Sequence, residues 1–170
     1  MNKGFTMCEE KLKGQTYNMS EGLCTLGETL LEDIGGSMGP LYGLLFDELS
    51  AASEDKEEID AEIFGEMITG AVEGIQEISP AKPGDKTLLD TLIPAKEAFM
   101  AEKEAGKDFS ECLDAMRNAA KKGWESTKNM TAKIGRASRL GERSRGVLDA
   151  GATSCYFILD CLASSIQSIL

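Results

Sequence analysis

Residues 60–78, DAEIFGEMITGAVEGIQEI, decide the fold class of this chain. Their apolar side chains recur every three or four positions, and this spacing places them on one face of an α-helix. The first residue, Asp60, is a suitable N-cap. The apolar positions are Ile63, Phe64, Met67, Ile68, Ala71, Val72, Ile75 and Ile78. The stretch therefore predicts a long amphipathic helix that begins near Asp60 and faces the core.

Three further stretches show the same spacing, whereas the alternation typical of strands is nearly absent. Their core positions are Leu23, Leu26, Leu30, Leu31 and Ile34; Leu88, Leu89, Leu92, Ile93 and Phe99; and Cys112, Leu113, Met116, Ala120 and Trp124. The expected caps are Ser20 for the first and Asp108 or Ser110 for the third, and Pro94 should bend the second. With helices over residues 5–13 and 153–170, the total is about six or seven. Short links favour antiparallel packing, so we predict an all-α bundle or helical barrel.

The composition is typical of one soluble, cytoplasmic domain over residues 1–170 and excludes several functions. A net charge of −11 and a pI near 4.5 leave no broad basic face for nucleic acid and discourage binding to anionic membranes. The chain has no histidine, which excludes Ser/His and Cys/His catalytic pairs and argues against the usual zinc sites. Asp160 and several serines interrupt the apolar segment 153–170, which suits a core helix better than a membrane span. The five cysteines, expected to be buried, reduced thiols, are Cys8, Cys24, Cys112, Cys155 and Cys161.

Two glycine-containing connections precede predicted helices. In residues 35–40, GGSMGP, the glycines can turn backbone N–H groups toward an anion, and Pro40 suits the first turn of the next helix. In residues 83–87, PGDKT, Asp85 is the expected cap of the helix that follows. Each connection also has a simpler interpretation, a tight turn in the first and capping alone in the second. The sequence leaves these alternatives open.

Four of the five arginines fall within residues 135–146, GRASRLGERSRG, which we call the arginine segment. A guanidinium group presents a planar fork of donors that matches phosphate oxygens, and glycine lets a ligand approach the backbone. In a chain with net charge −11, this local concentration indicates an anion site. The alternative is a surface loop whose arginines pair with nearby carboxylates. If the three glycine-bearing connections meet at one end of the bundle, they would form a nucleotide-phosphate pocket.

Three motifs in this order resemble the nucleotide-binding L subunit of bacterial dihydroxyacetone kinases, over essentially the whole chain. They are GGSMGPLYG at 35–43, PGDKT at 83–87 and GRASRLGERS at 135–144. The resemblance implies a barrel of antiparallel helices that holds ADP or ATP at one end. It also implies transfer of the γ-phosphoryl group to dihydroxyacetone on a separate K subunit. In the phosphotransferase-system version a phosphohistidine carrier protein recharges the bound ADP, and in the ATP-dependent version the nucleotide exchanges.

The resemblance also assigns roles to residues of this chain. Gly36, Ser37, Met38 and Gly39 would face the nucleotide phosphates, with Met38 in place of a serine found in many relatives. Ser79 would line the adenosine side, Thr87 would lie in the binding loop, and Leu88 would pack on the base. Arg136 would contact phosphate and act as the catalytic residue. Asp149, Ala150 and Gly151 would form a turn at the nucleotide, with Ala150 replacing a proline; Val147 and Leu148 replace a His-Gln pair.

One expected element of the family has no counterpart in these residues. The resemblance places the Mg²⁺-binding aspartates and a first helix before Met1, so no metal ligand is assigned within the chain. We therefore expect these 170 residues alone to bind Mg-nucleotide poorly, to support no turnover, and to self-associate, for example as a homodimer. Two other functions stay open at this point: a non-catalytic nucleotide-binding regulator or adaptor that retains the barrel, and a kinase subunit for another small ketose such as erythrulose.

Overall fold

The computed structural model describes residues 1–36 and 38–170. Over these residues the chain forms seven α-helices, two 3₁₀ segments and no β-strand, which confirms the all-α prediction and the expected number of helices. The α-helices are α1 (Asn2–Leu12), α2 (Met19–Asp33), α3 (Met38–Ser53), α4 (Ala61–Ile78), α5 (Leu89–Glu104), α6 (Phe109–Ser126) and α7 (Ala150–Gln167). The 3₁₀ segments are Thr127–Asn129 and Arg136–Ser144.

The helices fall into two compact units. The first unit, Met1–Ser79, contains α1 to α4, and the second, Pro80–Leu170, contains α5 to α7 and both 3₁₀ segments. The single domain expected over residues 1–170 stays a prediction.

Close contact between α2 and α3 organises the first unit. A Cβ added to Gly27 of α2 would lie 3.0 Å from the carbonyl oxygen of Gly43 in α3, so these helices approach to backbone contact. α3 packs in turn on α4, whose predicted stripe fills the core with Phe64, Met67 and Ile75, all fully buried.

Two residues of the predicted apolar stripes are exposed, and five others, Leu23, Ile34, Ile63, Ile93 and Trp124, are only half-buried. Leu31 is 57% exposed and Ile78 is 54% exposed. Both lie in the last turn of their helices, α2 and α4, so the apolar spacing continues past the edge of the packed region.

The caps of the long helices are set by aspartate and asparagine. Asp60 and Asp108 cap α4 and α6 as predicted. The prediction of Ser20 as the cap of α2 is wrong, because Asn18 accepts from the N–H of Glu21 at 2.8 Å and Glu21 accepts from the N–H of Asn18 at the same distance. This reciprocal pair places the start of α2 two residues earlier. Ser20 instead exchanges hydrogen bonds with Ser50 of α3.

In the second unit α5 and α6 also touch through backbone. A Cβ added to Gly123 of α6 would collide with the carbonyl oxygen of Asp90 and lie 3.2 Å from the Cα of Thr91, both in α5. The core between α5, α6 and α7 is formed by Leu89, Leu92, Phe99, Leu113, Met116, Cys155 and Leu159, each at most 3% exposed. α5 continues as one helix through Pro94.

The cysteines differ in burial. Cys8, Cys112 and Cys155 are buried, whereas Cys24 is half-buried and Cys161 is exposed, so the expectation of five buried thiols is wrong for these two. Cys161 is exposed on α7, beside Asp160, one of the polar residues that interrupt the apolar segment 153–170. None of the helices in the described ranges has the length and apolar character needed to cross a membrane.

We predict that Gly123→Ala destabilises the second unit by about 1–3 kcal/mol, because the added methyl group meets backbone that cannot rotate away. Chemical denaturation followed by circular dichroism measures this change. The matched control is Gly70→Ala in α4, where the new Cβ would lie 3.4 Å from the flexible Glu48 carboxylate. That variant should gain up to about 1 kcal/mol from helix propensity. Equal stabilisation of both variants would contradict the close α5–α6 contact.

Candidate functional site

A buried lysine lies at the centre of the loops of the second unit. Lys86 is 3% exposed, and its Nζ donates hydrogen bonds to the carbonyl oxygens of Met130 (3.2 Å), Val147 (2.7 Å) and Ser144. A buried ammonium ion is costly unless its N–H groups are satisfied, and here three acceptors satisfy all three. Lys86 therefore joins the connection 83–87 to the arginine segment and to the residues on either side of it.

The connection 83–87 is closed by a carboxylate of the following helix. Asp90 accepts from the N–H of Gly84 at 2.5 Å and from the N–H of Thr87 at 2.7 Å. The prediction that Asp85 caps this helix is therefore wrong, since α5 begins at Leu89 and its N-cap residue, Leu88, makes no side-chain cap bond.

Asp85 closes a smaller loop instead. Its carboxylate accepts from the N–H of Lys82 at 2.9 Å and pairs with Lys133 at 3.1 Å. The hydrogen bond from Lys82, together with that from Lys133, holds the pKa of the Asp85 carboxyl below its usual range. The backbone N–H of Lys133 also donates to the Asp85 carbonyl at 3.1 Å, so residue 85 contacts the chain just before the arginine segment.

The arginine segment contains 3₁₀ turns over Arg136–Ser144 that are interrupted by a kink at Gly141, where φ is +54°, and hydrogen bonds tie it to the chain that precedes it. The buried Ser144 hydroxyl accepts from the N–H of Ala132 at 2.9 Å and donates to the carbonyl of Gly141 at 2.6 Å. The N–H of Gly146 donates to the carbonyl of Lys128 at 2.8 Å. These bonds close residues 128–146 into a compact loop on the surface of the second unit.

The alternative interpretation of the arginine segment was a surface loop whose arginines pair with nearby carboxylates. Within the second unit only one of the four arginines forms such a pair. Arg145 pairs with Glu142 at 3.4 Å and donates to the Thr131 hydroxyl at 3.2 Å. The guanidinium groups of Arg136, Arg139 and Arg143 are exposed, and no carboxylate among the described residues of this unit pairs with them. The alternative is therefore wrong for these three, and their charge remains available to an external anion.

The predicted turn at 149–151 is the start of α7. Ala150 and Gly151 are its first two residues, and Asp149 is its N-cap, accepting from the N–H of Ala152 at 2.7 Å. The prediction of a separate turn before the last helix is therefore wrong. Because Asp149 is the N-cap, α7 begins at Ala150, earlier than predicted. A Cβ on Gly151 would lie 3.4 Å from the backbone nitrogen of Leu88, so the starts of α5 and α7 approach each other closely.

Asp149 is a partly buried carboxylate among charged neighbours. Burial raises the pKa of this carboxyl, while the N–H groups of Ala152 and Gly151 and the charge of Lys86 oppose the rise. The Asp149 N–H donates to the buried Thr127 hydroxyl at 3.0 Å, which fixes the backbone at the entry to α7.

The second unit thus brings together part of the predicted set. Thr87, Leu88, Asp149 and Gly151 lie at the adjoining starts of α5 and α7, with Ala150 exposed in the first turn. Leu88 is 4% exposed. Arg136 is exposed at the start of its 3₁₀ segment and is connected to this group through the backbone that Lys86 holds. The roles of these residues toward a nucleotide stay predictions.

The remaining predicted site residues belong to the first unit. Gly36 is exposed with a φ of +80°, a value that glycine adopts without strain. Met38 begins α3, and Gly39 is buried where a Cβ would collide with the carbonyl oxygen of Ile34. Ser79 ends α4, its N–H donating to the carbonyl of Ile75 at 3.0 Å. Ser37 lies outside the described residues, and the predicted meeting of the three connections at one pocket stays a prediction.

Sequence reasoning missed the residues that hold this arrangement: Lys86, Asp90, Thr127 and Ser144. Asp90 carried a signal, since an aspartate within the apolar run Leu88–Ile93 requires buried hydrogen bonds. Lys86 carried no such signal, because its acceptors lie 44 to 61 residues away along the chain.

Across the ranges 1–36 and 38–170, no three Asp, Glu or Cys side chains are grouped as a metal site.

We predict that Asp149→Asn is at least as stable as the wild type at neutral pH, whereas Asp149→Ala loses about 1 kcal/mol with the cap. Asparagine keeps the acceptor and removes a carboxylate whose burial is unfavourable. The pKa of Asp149 is higher in the folded state than in the unfolded state. At a pH between these two values, the folded state therefore binds more protons than the unfolded state. The wild type should therefore lose stability relative to Asp149→Asn as the pH rises from about 4 to 7. Urea denaturation across this pH range measures the difference in stability between the wild type and Asp149→Asn. A difference that does not change with pH would contradict the raised pKa of Asp149.

Comparison with known proteins gives the family directly. Residues 1–164 match the family described as the DAK2 domain. The chain is 35% identical over 164 residues to the PEP-dependent dihydroxyacetone kinase, ADP-binding subunit DhaL, of Escherichia coli, covering 96% of this chain and 78% of that protein. A similar subunit of dihydroxyacetone kinase 2 from Listeria innocua is 33% identical, with 96% and 77% covered. The L-erythrulose kinase of Pectobacterium atrosepticum is 33% identical over 81% of this chain, but over 23% of its own length. The chain belongs to the DAK2 domain family.

Proposed function

We propose that this chain is the nucleotide-binding subunit of a dihydroxyacetone kinase. It holds ADP or ATP and passes the γ-phosphoryl group to dihydroxyacetone bound on a separate K subunit. The names of two similar proteins support this assignment, since both are ADP-binding subunits of PEP-dependent dihydroxyacetone kinases and the chain spans more than three quarters of each. A phosphohistidine carrier protein is the proposed source of the phosphoryl group, in the cytoplasm.

One structural observation carries the proposal. In a chain with net charge −11, three unpaired guanidinium groups of the second unit lie on one short surface loop held by a buried ammonium ion. Such a fixed cationic loop suits a polyphosphate, whose charge must be offset as the phosphoryl group moves. Positioning and electrostatics supply most of the catalysis in this chemistry, so no covalent nucleophile is required of the chain.

Each predicted residue has a proposed role in this reaction. Arg136 neutralises charge on the transferring phosphoryl group, and Leu88, after Thr87, packs on the base. Asp149 and Gly151 border the phosphates at the starts of α5 and α7, with Ala150 between them. The loop of Gly36, Ser37, Met38 and Gly39 offers backbone N–H groups to the phosphates, and Ser79 lines the adenosine side. Mg²⁺ would accompany the nucleotide and would help to offset the charge of its phosphates.

A reconstituted assay tests the function. The full-length gene product is mixed with a dihydroxyacetone-binding K subunit, Mg²⁺ and dihydroxyacetone, with ATP or with a phosphorylated carrier protein and ADP. We expect dihydroxyacetone phosphate to form and to depend on the chain. Replacing dihydroxyacetone with erythrulose tests the other ketose, because two similar proteins are erythrulose kinases. Nucleotide binding without transfer to either sugar would contradict the kinase and support a regulator.

We predict that Arg136→Ala lowers kcat by about 10²–10³-fold, because one fixed donor to the developing charge is lost. The matched control is Arg139→Ala, which removes an equally exposed, unpaired guanidinium group from the same 3₁₀ segment. Initial rates at saturating dihydroxyacetone compare the two variants. Equal effects would show that the segment contributes net charge alone and that Arg136 has no specific role.

A further inference from the structure

We propose that Lys86 is a positioning residue for phosphoryl transfer. Its buried ammonium ion holds the arginine segment against the connection 83–87 and so sets where Arg136 meets the transferring phosphoryl group. This inference rests on the proposed function and deepens it, since it assigns a role in the same reaction to a buried residue that has no ligand-binding assignment of its own and that acts through Arg136.

The hydrogen bonds of Lys86 span the arginine segment. Met130 precedes the segment, Ser144 lies within it and Val147 follows it, and the carbonyls of all three accept from the same Nζ. One atom therefore fixes the entry, the body and the exit of the loop that carries Arg136. Removing it would leave three carbonyl oxygens without this donor, at least one of them buried, and the loop would have to move to hydrate them.

The backbone at Lys86 points to the same role. Its φ of +62° lies in the left-handed region, which asparagine and glycine adopt far more readily than lysine. An unfavourable backbone angle persists where the surrounding structure determines it. Here the Asp90 carboxylate binds the N–H groups of Gly84 and Thr87 on either side, and this closed loop directs the Lys86 side chain inward.

The expected consequence is kinetic. Arg136 acts on charge that develops during transfer, so displacing it lowers kcat more than it weakens nucleotide binding. A misplacement of about 1 Å in a reacting geometry can cost about a hundredfold in rate. Lys86→Met, which keeps the apolar stem of the side chain out to the Cε position and removes only the ammonium group, should therefore reduce kcat by about ten- to a hundredfold with a much smaller change in the nucleotide KM.

Two control variants separate positioning from stability and from charge. Leu113→Ala opens a cavity in the core of the second unit at a position within α6, outside the loops, so it serves as the control for a loss of stability. Lys133→Met removes a cation that also joins the connection 83–87 to the chain before the arginine segment, through its exposed pair with Asp85. Both should keep a kcat close to that of the wild type at a temperature where circular dichroism shows them folded. A Lys86→Met kcat equal to theirs would overturn the proposal.

A double-mutant cycle shows whether Lys86 acts through Arg136. Positioning predicts that Lys86→Met costs much less kcat in an Arg136→Ala background than in the wild type, because the group that Lys86 places is already gone. Independent, multiplicative losses would overturn this mechanism.

Limited trypsin digestion tests whether Lys86 holds the arginine segment in place, and it does not depend on an activity assay. Trypsin cleaves after arginine, so a released segment in Lys86→Met should be cut faster at Arg136, Arg139 and Arg143 than in the wild type. Leu113→Ala should speed cleavage throughout the chain rather than selectively there. Unchanged cleavage of the segment in Lys86→Met would overturn the proposal. If the wild type transfers no phosphoryl group, the proposed function fails, and the digestion still shows whether Lys86 holds the segment.

Discussion

The arrangement of loops in the second unit depends on one buried cation. An ammonium ion withdrawn from water is tolerated where all its N–H groups find acceptors, and Lys86 finds them in three backbone carbonyls. Those carbonyls are then fixed as firmly as the lysine, because moving one leaves an N–H group unsatisfied in a buried site. The partly buried carboxylate of Asp149 lies near enough to interact with the same charge. A single side chain thus sets the relative position of the connection 83–87, the arginine segment and the start of α7.

The residue of α5 that holds the connection 83–87 and the residue that follows it also contact α6 and α7 in the core of the second unit. Asp90 uses its carboxylate to close the connection around Lys86, while its carbonyl oxygen lies against Gly123 of α6. The hydroxyl of Thr91 donates to the carbonyl of Ala152 in α7 at 3.4 Å, which joins the next residue of α5 to the third helix of the unit. The loops therefore rest on residues that also determine how α5, α6 and α7 pack. A change in that packing is transmitted to the loop that carries Arg136.

Local and long-range interactions explain which parts could be predicted from the sequence. The helices could be predicted. The apolar positions of α4 and α6 repeat at the helical period, and Asp60 and Asp108 cap these helices through local hydrogen bonds. The cap of α2 was misplaced by two residues, since Asn18 and Ser20 are both suitable cap residues and the reciprocal bond with Glu21 decides between them. Asp85 was predicted to cap α5, but the N-cap position is Leu88 and Asp85 binds Lys82 and Lys133 instead. Lys86 could not be predicted, because its acceptors are brought to it by tertiary structure.

The buried lysine also bears on the anion site proposed for this strongly acidic chain. Backbone carbonyls on a surface loop repel phosphate, yet those of Ser144 and Val147 face inward, where Nζ of Lys86 binds them. Arg136, Arg139 and Arg143 remain on the outside without carboxylate partners in the second unit. Folding therefore places these two acceptor carbonyls on the inner side of the loop and leaves three guanidinium groups exposed on its outer side.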